Sequence, residues 1–200
     1  MGQELRNIEP FYGWLNLYSH ETDIHSPFHE VEHNLFYYDR SINHIPAHPL
    51  WDHIGSESLL VKILFANYEQ NFAIIELFGE WNDLFDNDFK LLAENCLTYL
   101  LDQQVNKFVL ICENVFNIYL EGDDYYQALE EELEDGWICT LRLRDSVKDE
   151  MKDYGIDSYF YWNPDLDSLS WRTLKPIQIF QLIDKRMKMA LEGPKPGHTF

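Results

Sequence analysis

The chain has 200 residues, ample for one domain with a real core, and its hydrophobic content of 46% with 16% aromatics excludes an intrinsically disordered protein. Acidic residues number 35 against 15 basic ones, and the net charge of −20 argues against nucleic acid and anionic membranes as partners, because both require Lys/Arg clusters. No apolar run approaches the roughly 18–20 residues that cross a bilayer. Along the chain, three zones differ in texture. Residues 1–56 are rich in His and aromatics, carry turn signals at Ser26-Pro27, Ile45-Pro46 and His48-Pro49, and read as an N-terminal extension packed on the core. Residues 57–162 alternate strand-like and helix-like segments, and residues 163–200 read as a turn, one helix and a loose tail.

Leu59 to Tyr68 and Phe72 to Phe78, separated by Glu69-Gln70-Asn71, predict a hairpin. Phe89, Leu92, Ala93, Cys96, Tyr99 and Leu100 recur at helical spacing and predict an amphipathic helix over 87–103. Lys107 to Cys112 is a short continuous apolar run, the pattern of a strand buried on both faces. Asp123 or Asp124 then caps a helix carrying Tyr126, Leu129 and Leu133, which Gly136 ends. Trp137 to Leu143 predicts another strand. Ser146 with Asp149 has the spacing of a capping box for a helix stopped at Gly155. Ile156 to Trp162 suits an edge strand. Pro176 opens a last helix whose expected face is Ile179, Leu182, Ile183, Arg186 and Ala190. The order is that of an α/β protein: a mixed, mostly parallel sheet with helices packed on it and a leading antiparallel hairpin.

The pieces FAIIELFGEWND (72–83), KFVLICENVFN (107–117), WICTLRLRD (137–145) and SVKDEMKDYGIDSYF (146–160), with a long helix after the first, make the middle of the chain resemble a STAS domain, the fold of anti-sigma-factor antagonists. The resemblance covers about half of the chain. It implies a regulatory module that binds other proteins and is switched by phosphorylation of a Ser or Thr after a central strand. Here Glu113 to Asp124 holds neither residue, and a phosphate beside Glu121, Asp123 and Asp124 would meet repulsion. The chain as a whole also resembles a group of cytoplasmic Bacteroidetes proteins through HPLWD (48–52), GSESL (55–59), IIELFGEWND (74–83), ICENVFN (111–117) and DDYY (123–126). That second resemblance implies no activity.

Cys96, Cys112 and Cys139 lie in apolar stretches without metal-binding spacing and read as reduced core thiols, in keeping with a cytoplasmic location. The opening residues lack the charged-then-apolar order of a secretory signal, and Arg6 stands where myristoylation of Gly2 favours Ser or Thr. Seven of the eight His fall between His20 and His53. Within that zone His29-Glu30-Val31-Glu32-His33 is a literal H-E-x-x-H. On a helix it would place His29 and His33 one turn apart on a zinc ion, with Glu30 as general base of a metal-dependent hydrolase. The third ligand of such a site is missing from the spacing, and an inert His-rich segment is the plainer alternative. His25, His29 and His33, at steps of four, offer a structural metal site on the same condition. No cofactor is expected. Phosphate-binding glycine loops and a nucleophile elbow are absent, and Ser56, Ser58 and His53 do not have the spacing of a triad.

Between Glu80 and Gly136 there are 15 acidic residues against Lys90 and Lys107. If strands 72–78 and 107–112 run parallel, the loops at their carboxyl ends meet on one edge, where open α/β sheets bind ligands and partners. The expected binding surface is therefore Glu80, Trp81, Asn82 and Asp83 with Glu113, Asn114 and Asn117, and Asp123 and Asp124 beyond. Trp81 is either its hot spot or a plug in the core. The expected function is non-catalytic protein–protein recognition, with a basic protein partner or a second copy of the chain; a small-ligand site at the same edge is the further alternative.

Overall fold

The computed structural model describes residues 8–192. The reading of Gly2 and Arg6 and the end of the C-terminal tail lie outside them. The predicted hairpin forms: β4 (Leu59–Asn67) and β5 (Phe72–Asn82) pair antiparallel with Asn67 opposite Phe72. Asn67 Oδ1 accepts a 2.8 Å hydrogen bond from the Gln70 amide, and Asn71 takes the left-handed conformation that closes the turn. β6 (Lys107–Tyr119) runs parallel to β5, and β7 (Trp137–Leu141) parallel to β6. The order β3-β4-β5-β6-β7 is completed by a two-residue antiparallel edge, β3 (Asp52–His53). This is the mixed α/β class expected, and its sheet draws one strand from within residues 1–56.

Both sheet faces are covered. On one face lies the helix 88–102, whose middle turn (Ala93–Leu97) is wound as a π-helix between α1 (Asp88–Leu92) and α2 (Thr98–Asp102). Phe89, Leu92, Cys96 and Leu100 carry its buried stripe against Ile75, Leu110 and Cys112. α3 (Asp124–Leu133) buries Tyr126, Leu129 and Leu133 on the same side, and α4 (Asp145–Asp153) buries Val147 and Met151. On the other face, Trp14 of the extension, α5 (Pro164–Asp167) and α6 (Pro176–Glu192) pack over Phe72, Ile74, Val109 and Leu141. A small hairpin of β1 (Ser41–Ile42) and β2 (Ile45–Pro46) closes over the far end of the sheet, with Trp51, Leu60 and Phe78.

Several boundaries differ from expectation. β5 and β6 run past Phe78 and Cys112 to Asn82 and Tyr119, with bulges that break their pairing near Leu77 and Glu80. Beyond the buried centre the strand alternates instead of staying apolar: Val115 and Ile118 point in while Asn117 and Tyr119 are exposed. Gly79 makes part of this extension feasible, since its φ is +130° and a Cβ there would lie 2.1 Å from the Ser58 carbonyl oxygen. Ile156 to Trp162 forms no strand; Tyr161 alone bridges Cys139. The capping box at Ser146 is not built, because α4 already begins at Asp145 and has no side-chain cap. α6 buries Ile179, Phe180 and Ile183, whereas Leu182 and Arg186 face solvent and Arg186 pairs with Asp165 at 2.6 Å.

All three thiols are unpaired and buried, and burial pushes the pKa of each upward. A thiol reagent is expected to label the folded chain slowly and the unfolded chain quickly at Cys96, Cys112 and Cys139. Rapid labelling without denaturant, followed by mass spectrometry, would show the central strands to be open. Among the described residues no helix is long and apolar enough to cross a membrane.

Candidate functional site

Because β5 and β6 are parallel, their carboxyl ends do reach one edge, but the nine expected surface residues divide there by environment. Trp81 is fully buried and belongs to the core: its ring stacks on Phe89, and its indole N–H donates to the Tyr126 hydroxyl at 3.0 Å. Its inward direction follows the two-residue alternation of β5, in which Ala73, Ile75 and Leu77 face the same core. Tyr126 passes the interaction on by donating to Asp83 Oδ2, while Asp83 Oδ1 accepts the Phe89 amide at 2.7 Å and so satisfies a free N–H at the start of α1. Burial raises the pKa of Asp83, opposed by the Tyr126 and Phe89 hydrogen bonds. Asn82 is held through its amide by Asp88 and through its side chain by Asp86, both at 2.8 Å.

The remaining residues reach solvent to differing degrees. Glu80 accepts hydrogen bonds from Asn43 and Asn117, at 2.5 and 3.0 Å. Glu113 is taken up by Arg172 at 2.5 Å, and Asn114 donates to the buried Glu76 at 3.4 Å. Asp123 accepts from the Tyr159 hydroxyl at 2.9 Å, and Asp124 opens α3 in full exposure. The same edge carries apolar groups outside the nine expected residues. Leu84 and Phe85 sit in the turn after β5, with Phe85 76% exposed, and Tyr119 and Tyr125 are also exposed. The amides of Asp83 and Leu84 both donate to the Tyr119 carbonyl, which fastens this turn to the end of β6. Asp83, Lys90, Glu121, Asp124 and Tyr125 line a cleft of about 280 Å³, with the Lys90 ammonium 5.2 Å from the Tyr125 ring centre. The signal in the sequence was two apolar residues inside an otherwise polar NDLFDND turn.

A second polar centre lies inside the sheet. Glu76, on the central strand, is fully buried; Oε2 accepts the Phe11 amide at 2.7 Å, and Arg172 approaches Oε1 at 3.8 Å. Burial pushes its pKa up to about 7, opposed by the Phe11 and Arg172 contacts. The carboxylate thus anchors the extension to the core.

The His-rich zone is not a helix at 29–33. Successive turns carry the chain there, Glu30 has φ +65°, and His29 faces Glu30 itself at 3.7 Å. His25 lies against Tyr68 instead. The H-E-x-x-H spacing therefore does not bring His29, Glu30 and His33 together as a helix would. His33 turns inward to a different set: its Nε2 is 2.9 Å from Asp52 Oδ1, His20 Nε2 is 3.8 Å from the same oxygen, and Lys62 Nζ is 3.1 Å from Oδ2. Each of these four side chains is less than a tenth exposed. His20, His33 and Asp52 are the described residues with the geometry to share a metal ion. Asp52 sits in HPLWD (48–52), and no fixed spacing links it to His20 and His33.

No protein-family model matches the chain, and no curated protein matches it either. Among solved structures it is similar to the Bacillus cell fate determinant SpoIIAA in the phosphorylated form, at 12% sequence identity, over 62% of this chain and 98% of that one, with a TM-score of 0.40. A likeness at that distance carries no functional argument.

Proposed function

We propose that this chain is a non-catalytic, cytosolic recognition module that binds a basic segment of another protein at the carboxyl edge of β5 and β6. The observation that carries the reading is the exposure of Leu84, Phe85, Tyr119 and Tyr125 on an edge that also bears Glu121, Asp123 and Asp124. Apolar and aromatic side chains ringed by carboxylates suit a partner that offers apolar anchors between Lys and Arg residues. The adjoining cleft, about 280 Å³ in volume, has room for one partner side chain beside Lys90 and Tyr125. Three unpaired thiols support a reducing compartment.

The test compares partners recovered on the immobilised wild-type chain and on Phe85→Ala from extracts of the source cells, at low and high salt. Phe85→Ala is expected to weaken partner binding by about 2 kcal/mol or more, as hot spots do. Its melting temperature should stay near wild type, because exposed substitutions rarely move stability by more than about 0.5 kcal/mol. Recovery should also fall with salt, since exposed charges are screened over about 8–10 Å. A partner held equally by Phe85→Ala, or indifferent to salt, would place the working surface elsewhere.

A further inference from the structure

We infer that His20, His33 and Asp52 form a binding site for a transition-metal ion of the zinc or cobalt(II) type, which clasps the N-terminal extension to the sheet edge. Zinc bonds to imidazole nitrogen and carboxylate oxygen are about 2.0–2.1 Å long, so tetrahedral ligand atoms lie roughly 3.3 Å apart. Asp52 Oδ1 stands 2.9 Å from His33 Nε2 and 3.8 Å from His20 Nε2, on either side of that value. One ligand atom from each of the three residues falls within 4.8 Å of the others. The two imidazoles meet edge to face, with centroids 5.4 Å apart.

A second observation points to a ligand. Both Nε2 atoms and both Asp52 oxygens are buried without an aligned hydrogen bond, even where the separation is only 2.9 Å. Buried polar groups normally find partners, and three such atoms, the two Nε2 and Oδ1, gather where a shared cation would complete them. Lys62 ion-pairs with the outer oxygen, Oδ2, which fixes the carboxylate and leaves Oδ1 facing the two imidazoles. The ligand set also selects the ion. With one carboxylate oxygen and an ammonium beside it, Ca²⁺ and Mg²⁺ lack the oxygen cage they need, whereas imidazole nitrogen suits Zn²⁺ and Co²⁺. His33 also borders a cleft of about 280 Å³ with Tyr37, His48 and Trp51. His20 and His33 come from a stretch without helix or strand and Asp52 from β3, so the ion would bind two parts of the chain that few backbone hydrogen bonds join.

The experiment titrates the full chain, stripped with a chelator, with Co²⁺ and then Zn²⁺. The expected result is one equivalent of cobalt with the intense visible absorption of a four-coordinate site, displaced by zinc, and a melting temperature raised by zinc. His33→Ala should weaken binding by at least about 100-fold, more than loss of an outer-shell partner does. His29→Ala should leave both readouts unchanged. The inference is overturned if the wild-type chain takes up no stoichiometric cobalt at micromolar free metal, if His33→Ala binds as tightly as wild type, or if His29→Ala abolishes binding. Should His33→Ala not fold, the wild-type titration and His29→Ala still decide the matter.

Discussion

Trp81→Ala is expected to lower the unfolding free energy by about 3–5 kcal/mol, the cost of truncating a fully buried aromatic with partial collapse of the cavity. For a domain of this length that corresponds to a fall in melting temperature on the order of 10 °C. The loss has two parts. The indole ring leaves its stack on Phe89 and its edge contact with Phe160, and the Tyr126 hydroxyl loses the N–H that donates to it. Trp81→Phe separates them, since it keeps most of the ring and removes the donor; about 1–2 kcal/mol should be lost. Tyr126→Phe should cost a similar amount, because Asp83 would then lose its buried donor. Equilibrium urea denaturation of the three variants checks this, and a Trp81→Ala chain as stable as wild type would mean that the indole is not in the core.

Glu76→Gln is expected to change how stability depends on pH. The folded pKa of Glu76 is about 7 against an ordinary 4.5, so between these values the folded chain holds a proton that the unfolded chain has released. Below about pH 4.5 both states are protonated and Glu76 costs nothing. As pH rises towards 7 the folded state becomes progressively less favoured, and above 7 the full penalty of a buried carboxylate remains. The shift corresponds to about 3 kcal/mol at 1.36 kcal/mol per unit. Gln keeps an oxygen for the Phe11 amide and sheds the charge. The variant should therefore match wild type near pH 4–5 and exceed it at pH 8 by up to about 3 kcal/mol, a figure that already includes the Arg172 contact. Denaturant midpoints at the two pH values decide it: a Glu76→Gln chain weaker than wild type at pH 8 would show that the ion pair outweighs the burial.

Much of the architecture was legible because the relevant patterns are local. The hairpin, the helical stripe of Phe89, Leu92, Cys96 and Leu100, and the two parallel strands each follow from the period of their apolar residues. Strand ends were less legible, since β5 and β6 leave the fully buried centre and continue as half-exposed, bulged segments in which Gly79, Glu80 and Asn117 look like loop residues. The site was legible only in part. The edge itself follows from parallel pairing, but the burial of Trp81 requires β5 to keep its two-residue alternation past Phe78, where Gly79 and Glu80 read as loop residues. The H-E-x-x-H motif is uninformative for a related reason: it presumes a helix, whereas Glu30 takes a left-handed conformation and His33 lies against Asp52, a residue 19 positions further along. Contacts of that span are decided by tertiary packing.

The sheet's two rims restrict how any partner can attach. On one side the outermost strand, β3, is two residues long, and on the other β7 has a single bridge to Tyr161 beside it. A visiting strand would find a two-residue template at β3, and at β7 a strand whose Ile138 carbonyl and Thr140 amide are already taken by Tyr161. Recruitment by lending a strand, and the runaway version of it that builds fibrils, are both disfavoured by this geometry. Association at those two strands would therefore rest on side chains, which point mutation can remove one at a time without disturbing the sheet.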